Sequence, residues 1–120
     1  MTNSNRSLRV FLAFLLVLTF NSGGCPKMVN AEQRTWCVAK PSANNTALQE
    51  NIDFACKNVN CNSILKPGCP CSKPATMINR ASVAMNLYYQ STAKNSWNCD
   101  FTNSALIVIT DPSYDGCRYL

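Results

Sequence analysis

Residues 76–90 read Thr76-Met-Ile-Asn-Arg-Ala-Ser-Val-Ala-Met-Asn-Leu-Tyr-Tyr-Gln90, and this stretch decides the fold. Ile78, Ala81, Met85 and Tyr88 recur at helical spacing with Ala84 beside them, which predicts one apolar helix face. Pro74 precedes the segment and Thr76 supplies an N-cap hydroxyl. Upstream, Thr46 to Cys56 repeats the pattern more weakly. Leu48, Ile52 and Ala55 share a face there, and Thr46 with Gln49 forms a candidate capping box. Between these helices, residues 58–72 are crowded with Asn, Gly, Pro and cysteine and read as a tied-down loop. Downstream, Cys99-Asp-Phe101 and Ala105-Leu-Ile-Val-Ile-Thr110 flank Thr102-Asn-Ser104, the pattern of a short antiparallel hairpin. Asp111 to Gly116 reads as a turn that returns Cys117 to the body.

Working outward to the N-terminus, Arg6 and Arg9 precede an apolar run, Val10 to Phe20, and the small polar residues Asn21-Ser-Gly-Gly24 follow it. A basic flank, an apolar run of this length and a small-residue exit read as a secretory signal peptide. The run falls short of the about 20 apolar residues that span a bilayer as a helix. Cleavage after Ala31 is preferred, giving a leader of residues 1–31 and a domain of 32–120, and Gly24 is the alternative. Over 32–120, eight Lys/Arg stand against six Asp/Glu, so the +5 of the 120-residue chain falls to +2 and the basic residues are scattered. Nucleic acid is therefore not an expected partner. The sequence closes at Leu120 without an apolar tail, so no lipid anchor is expected.

A domain of this size buries too little surface to rest on its core alone, and an exported chain that keeps Cys37, Cys56, Cys61, Cys69, Cys71, Cys99 and Cys117 is expected to use disulfides. A zinc site is not expected, since the chain holds no His and no Cys-x-x-Cys pair. The absence of His also removes Ser-His-Asp and Cys-His chemistry. The six acidic residues, Glu32, Glu50, Asp53, Asp100, Asp111 and Asp115, fall mostly on helix surface and in turns, where solvated or capping roles explain them. No catalytic residue and no cofactor is expected.

Aromatic residues are the more useful resource, because the C–H faces of sugar rings pack on them while Asn, Asp and Tyr hydrogen-bond the hydroxyls. Trp36, Phe54 and one of Tyr88 and Tyr89 are expected in the core, since adjacent helix residues point about 100° apart. Asn44-Asn45-Thr46 is a glycosylation sequon that makes Asn44 a glycan acceptor in an exported chain.

Several motifs in fixed order carry a resemblance. They are Trp36-Cys37-Val-Ala-Lys-Pro41, Ala47-Leu-Gln49, Ile52-Asp-Phe-Ala-Cys56, Pro70-Cys71 with Pro74, Ala81-Ser82, Ala84-Met-Asn86 and Tyr88-Tyr-Gln90. Cys99-Asp-Phe101, Thr110-Asp-Pro-Ser-Tyr114 and Cys117 with Tyr119 complete the set. Over residues 35–120 the chain resembles the plant X8 domain, carbohydrate-binding module family 43. The resemblance implies an α+β fold, a small disulfide-rich domain of two main α-helices packed at an angle with a short antiparallel β-sheet. It implies the pairs Cys37–Cys99, Cys56–Cys61 and Cys71–Cys117, which spacing alone could not choose among the fifteen that six cysteines allow. It also implies binding of β-1,3-glucan, callose included, in the cell wall by a free secreted form. That form is expected to be a monomer, with a separate glucan endo-1,3-β-glucosidase as a candidate partner. The rival expectation is a cystine-rich structural or signalling protein that acts through protein contacts.

One departure stands out. Gly68-Cys69-Pro-Cys71 replaces the usual Gly-Gly-Pro-Cys, so Cys69 is extra, as is Cys25. Cleavage after Gly24 would let the two pair. Cleavage after Ala31 would leave Cys69 a lone thiol or a link to another chain. Glucan is expected in a shallow groove between the 77–90 helix and the hairpin. Tyr88, Tyr89, Phe101 and Tyr114 would line it, with Asn86 and Asp111 as polar partners.

Overall fold

The computed structural model describes residues 24–25 and 34–120; the leader's apolar run and Ala31 lie outside them. In chain order the elements are strand β1 (Trp36–Ala39), helix α1 (Asn45–Asn58), the one-turn helix α2 (Asn62–Leu65), a 3-10 turn (Pro70–Ser72), helix α3 (Met77–Ser91), a second 3-10 turn (Ser96–Cys99) and strand β2 (Ala105–Val108). The result is a small disulfide-rich α+β domain.

Helix α3 is the central element, packed against α1 on one side and β1 on the other. That double contact explains why Ala81 through Asn86 are all buried. It also moves the inward row from the expected one. Ala81, Met85 and Tyr89 face the layer with Cys37, Leu48 and Ala105, whereas Ile78 stays exposed and Tyr88 is half-buried. Thr76 caps α3 as expected, its Oγ1 accepting from the Asn79 N–H at 3.3 Å. Helix α1 is capped by Asn44 instead of Thr46: the Asn44 Oδ1 accepts from the Ala47 N–H at 2.8 Å. The capping box is thus corrected, because the helix begins at Asn45, one residue before the Thr46 that would have closed the box.

The hairpin is also corrected. β2 pairs antiparallel with β1, Trp36 opposite Val108 and Ala39 opposite Ala105, so the lead-in segment supplies the partner strand. Residues 99–101 cannot extend beside β2, because Ser96–Cys99 winds into a 3-10 turn and Phe101, Thr102 and Asn103 follow with φ of 47°, 55° and 63°. The other edge of β1 is closed by side chains of α3. The Cys37 N–H donates to Asn86 Oδ1 and the Ala39 N–H to Ser82 Oγ, each at 3.0 Å. Backbone donors that a two-stranded sheet would leave bare are thereby satisfied inside the protein.

The bridges are Cys37–Cys99, Cys56–Cys61 and Cys71–Cys117, the pairs set out above, and Cys25–Cys69 as a fourth. Near the C-terminus, Asp115 and Gly116 sit at φ of 40° and 86°, which closes a tight turn between Tyr114 and Cys117 that glycine's freedom permits.

Candidate carbohydrate-binding site

Three elements converge on one aromatic surface. Helix α1 brings Glu50 and Phe54, four residues apart and so on one helix face. Helix α3 brings Tyr88, and residues 97–102 bring Trp97, Asn98, Asp100 and Phe101. Together they line an open pocket of about 360 Å³. The rings of Phe54, Tyr88 and Phe101 meet edge to face, with centroids 5.0 Å, 6.1 Å and 6.0 Å apart and interplanar angles of 76°, 82° and 77°. Each such contact contributes about 0.5–1.5 kcal/mol beyond its buried area, so the triad braces itself. Trp97 stands free of it, 73% exposed, and Phe54 is 48% exposed.

The wall carrying Phe101 is a left-handed turn of three consecutive non-glycine residues, a conformation costing about 1–2 kcal/mol per residue. Buried hydrogen bonds hold it. Ser104 donates from its N–H to the carbonyls of Asp100 and Phe101 at 3.1 Å and 3.2 Å, and Asn51 Nδ2 donates to Ser104 Oγ at 2.7 Å. Lys40 Nζ ties the far side by donating to Asn103 Oδ1 at 2.6 Å. Strain held in place by its surroundings is typical of a functional surface.

Of the six residues expected at a binding site, the fold brings Tyr88 and Phe101 together in this pocket. Tyr89 is 2% exposed, its hydroxyl 2.8 Å from Thr35 Oγ1, and Asn86 is 1% exposed and holds β1. Tyr114 lies beside a second cleft at Pro70, Lys73 and Pro74, where its hydroxyl donates to the Lys73 carbonyl or Asn79 Oδ1. Asp111 lines neither cleft. The Ser113 hydroxyl and N–H, with Arg34 at 4.0 Å, hold its carboxyl below the usual carboxylate range, although partial burial opposes them. Burial and the neighbouring Tyr114 push the Tyr119 hydroxyl above the usual tyrosine range.

Phe54, Trp97, Glu50 and Asp100 were not expected in the lining. Phe54 is corrected from core to surface, because the inward face of α1 is Leu48, Asn51 and Ala55. Its neighbours Glu50 and Asp53 were the sequence signal that this face meets water. Trp97 carried a signal too, a lone large ring among Ser, Asn and Lys.

Among the described residues no group of acidic or cysteine side chains could hold a metal ion, and no helix is long and apolar enough to cross a membrane. What the pocket offers is a platform of rings with Asn98, Glu50 and Asp100 on its border, suited to the apolar faces and hydroxyl groups of a sugar.

Comparison with known proteins bears on the ligand. A family model described as the X8 domain matches residues 35–106. A glucan endo-1,3-beta-D-glucosidase of Olea europaea is 44% identical over 86 residues, 71% of this chain and 18% of that protein. The major pollen allergen Ole e 10 of Olea europaea is 37% identical over 102 residues, 83% of this chain and 82% of that protein. Plasmodesmata callose-binding protein 2 of Arabidopsis thaliana is 33% identical over 93 residues, 77% of this chain and 47% of that protein. The chain spans only 18% of the olive glucosidase and a similar share of a wheat one.

Proposed function

The chain belongs to the X8 domain family, and from that premise we propose that it is a non-catalytic module that binds β-1,3-glucan in the plant cell wall after export. The observation that carries the reading is the Phe54–Tyr88–Phe101 triad with the exposed Trp97 beside it, a ring surface in a pocket of about 360 Å³. A glucose ring stacks its C–H face on Trp97, and a neighbouring unit rests against the triad. Glu50, Asp100 and Asn98 accept hydrogen bonds from the hydroxyls at the border. The triad is pre-organised, so little conformational freedom is lost on binding. The name of the callose-binding relative supports the choice of a β-1,3-linked ligand. Export also makes Asn44 a glycan acceptor: it is exposed at the start of α1, and its Oδ1 does the capping, so the amide nitrogen is the atom that would carry the sugar. A separate glucan endo-1,3-β-glucosidase is the candidate protein partner.

Co-sedimentation with insoluble β-1,3-glucan, with cellulose as control, tests the reading. Retention on the first and not the second is expected, and soluble laminarin should yield no reducing sugar above buffer. A rival reading, in which the protein acts through protein contacts, draws on the exposed apolar side chains of Leu106, Ile107 and Ile109 on and beside β2. Retention on neither polymer would favour it.

A further inference from the structure

Cys25 and Cys69, the two cysteines outside the six-cysteine pattern, are bonded to each other with Cα atoms 5.8 Å apart. Cys69 is fixed in the body. It is 3% exposed, its N–H donates to the Lys66 carbonyl, and its own carbonyl accepts from the Ser72 N–H and hydroxyl. Two residues on, Cys71 is bonded to Cys117. A chain cut after Ala31 would lose Cys25 and leave a buried, unpaired thiol on this rigid turn, in a compartment that oxidises thiols.

The sequence around Gly24 fits the other outcome. The apolar run ends at Phe20, and a short polar exit with small residues at Ser22 and Gly24 follows. A leader ending at Gly24 falls inside the usual range of about 15–30 residues, and one ending at Ala31 falls just outside it.

We propose that the leader is removed after Gly24, so that Cys25 is the first residue of the exported protein and is stapled to Cys69. The inference rests on the export reading above. Hydrolysis of the Gly24–Cys25 peptide bond leaves a carboxylate on Gly24 and an amine on Cys25. The two thiols then give up two protons and two electrons to a protein disulfide oxidant of the export compartment, whose own disulfide is reduced to a dithiol. Residues 26–31, which a cut after Ala31 would discard, are then kept in the exported protein.

The test is secretion of the full-length chain from a plant host, with amino-terminal labelling, non-reducing peptide mapping and thiol counting under denaturing conditions. The expected result is an N-terminal Cys25 in a peptide linked to the one carrying Cys69, with no free thiol. An N-terminus at Glu32, with Cys69 free or joined to another molecule, would overturn the proposal and leave the export reading intact. A protein kept in the cell with the leader attached would overturn both. In a second arm, Cys25→Ser is expected to expose one thiol per molecule or give covalent dimers, and Cys25→Ser with Cys69→Gly to give neither. A Cys25→Ser protein with no new thiol and no dimer would count against the staple.

Discussion

Trp97 and Trp36 have the same side chain and opposite fates, 73% and 2% exposed. Trp36 is inward on β1 and anchors one core cluster, whereas Trp97 projects from a 3-10 turn into water. An indole left in water gains nothing for folding, so its contribution is expected in binding. Trp97→Ala should weaken laminarin binding about tenfold, equivalent to about 1.4 kcal/mol, and leave the melting temperature unchanged. Tyr89→Phe is the contrasting change. It removes the hydrogen bond to Thr35, should cost about 0.5–1.5 kcal/mol of stability, and should leave laminarin affinity alone. Titration calorimetry and thermal melting read the two effects separately. Equal loss of affinity in both variants would mean that ligand reaches the interior side of α3. Asp111 has a different readout. Its carboxyl is held below the usual range, so the ionised form favours the fold above the ordinary carboxylate pKa, and that contribution is lost as the pH falls through the lowered value. Asp111→Asn should therefore flatten the acid limb of the stability profile.

At the scale of elements, α1 begins on a residue with two tasks. Asn44 caps the helix through Oδ1 and heads the Asn44-Asn45-Thr46 sequon. Three substitutions separate the tasks. Thr46→Ala removes the sequon and keeps the cap, and Asn44→Asp does the same because aspartate caps as well as asparagine. Asn44→Ala removes both. All three should abolish the glycan proposed at Asn44. Asn44→Ala should also lower stability by about 0.5–2 kcal/mol relative to Asn44→Asp, read by mass spectrometry and thermal melting. Full-size glycan on the Thr46→Ala protein would show that the sugar lies elsewhere. Across the fold, β1 depends on α3 as much as on β2, since Asn86 and Ser82 satisfy its second edge. That dependence makes Asn86 a framework residue, although a sequence reader sees only a polar residue next to tyrosines.

For the whole molecule, the four bridges take up all eight cysteines, and their loops differ widely in length. Cys71–Cys117 closes a separation of 46 residues and Cys56–Cys61 one of 5. Chain entropy assigns these about 4 and about 2 kcal/mol. Cys71→Ala with Cys117→Ala should therefore abolish cooperative melting near 37 °C (about body temperature), while Cys56→Ala with Cys61→Ala should leave a weakened transition. Matching melting points for the two double variants would mean that residual structure in the unfolded chain outweighs loop length. Local pattern was enough to place both main helices, because an amphipathic repeat is a property of neighbouring residues, as is the Thr76 cap of α3. Composition was enough to make disulfides the staples. The partner of β2 was not legible, because strand pairing joins residues 36–39 to residues 105–108, and nothing near Ala105 records which distant segment lies beside it. Nor was the pocket. Phe54, Tyr88, Trp97 and Phe101 become neighbours only once α1, α3 and the left-handed turn are packed, and that packing also takes Tyr89 and Asn86 inside. Sequence by itself determined the two main helices, the strand at Ala105–Val108 and the use of disulfides to hold them, all local or compositional properties. Tertiary structure decided which aromatic faces meet water, because burial depends on what arrives from elsewhere in the chain.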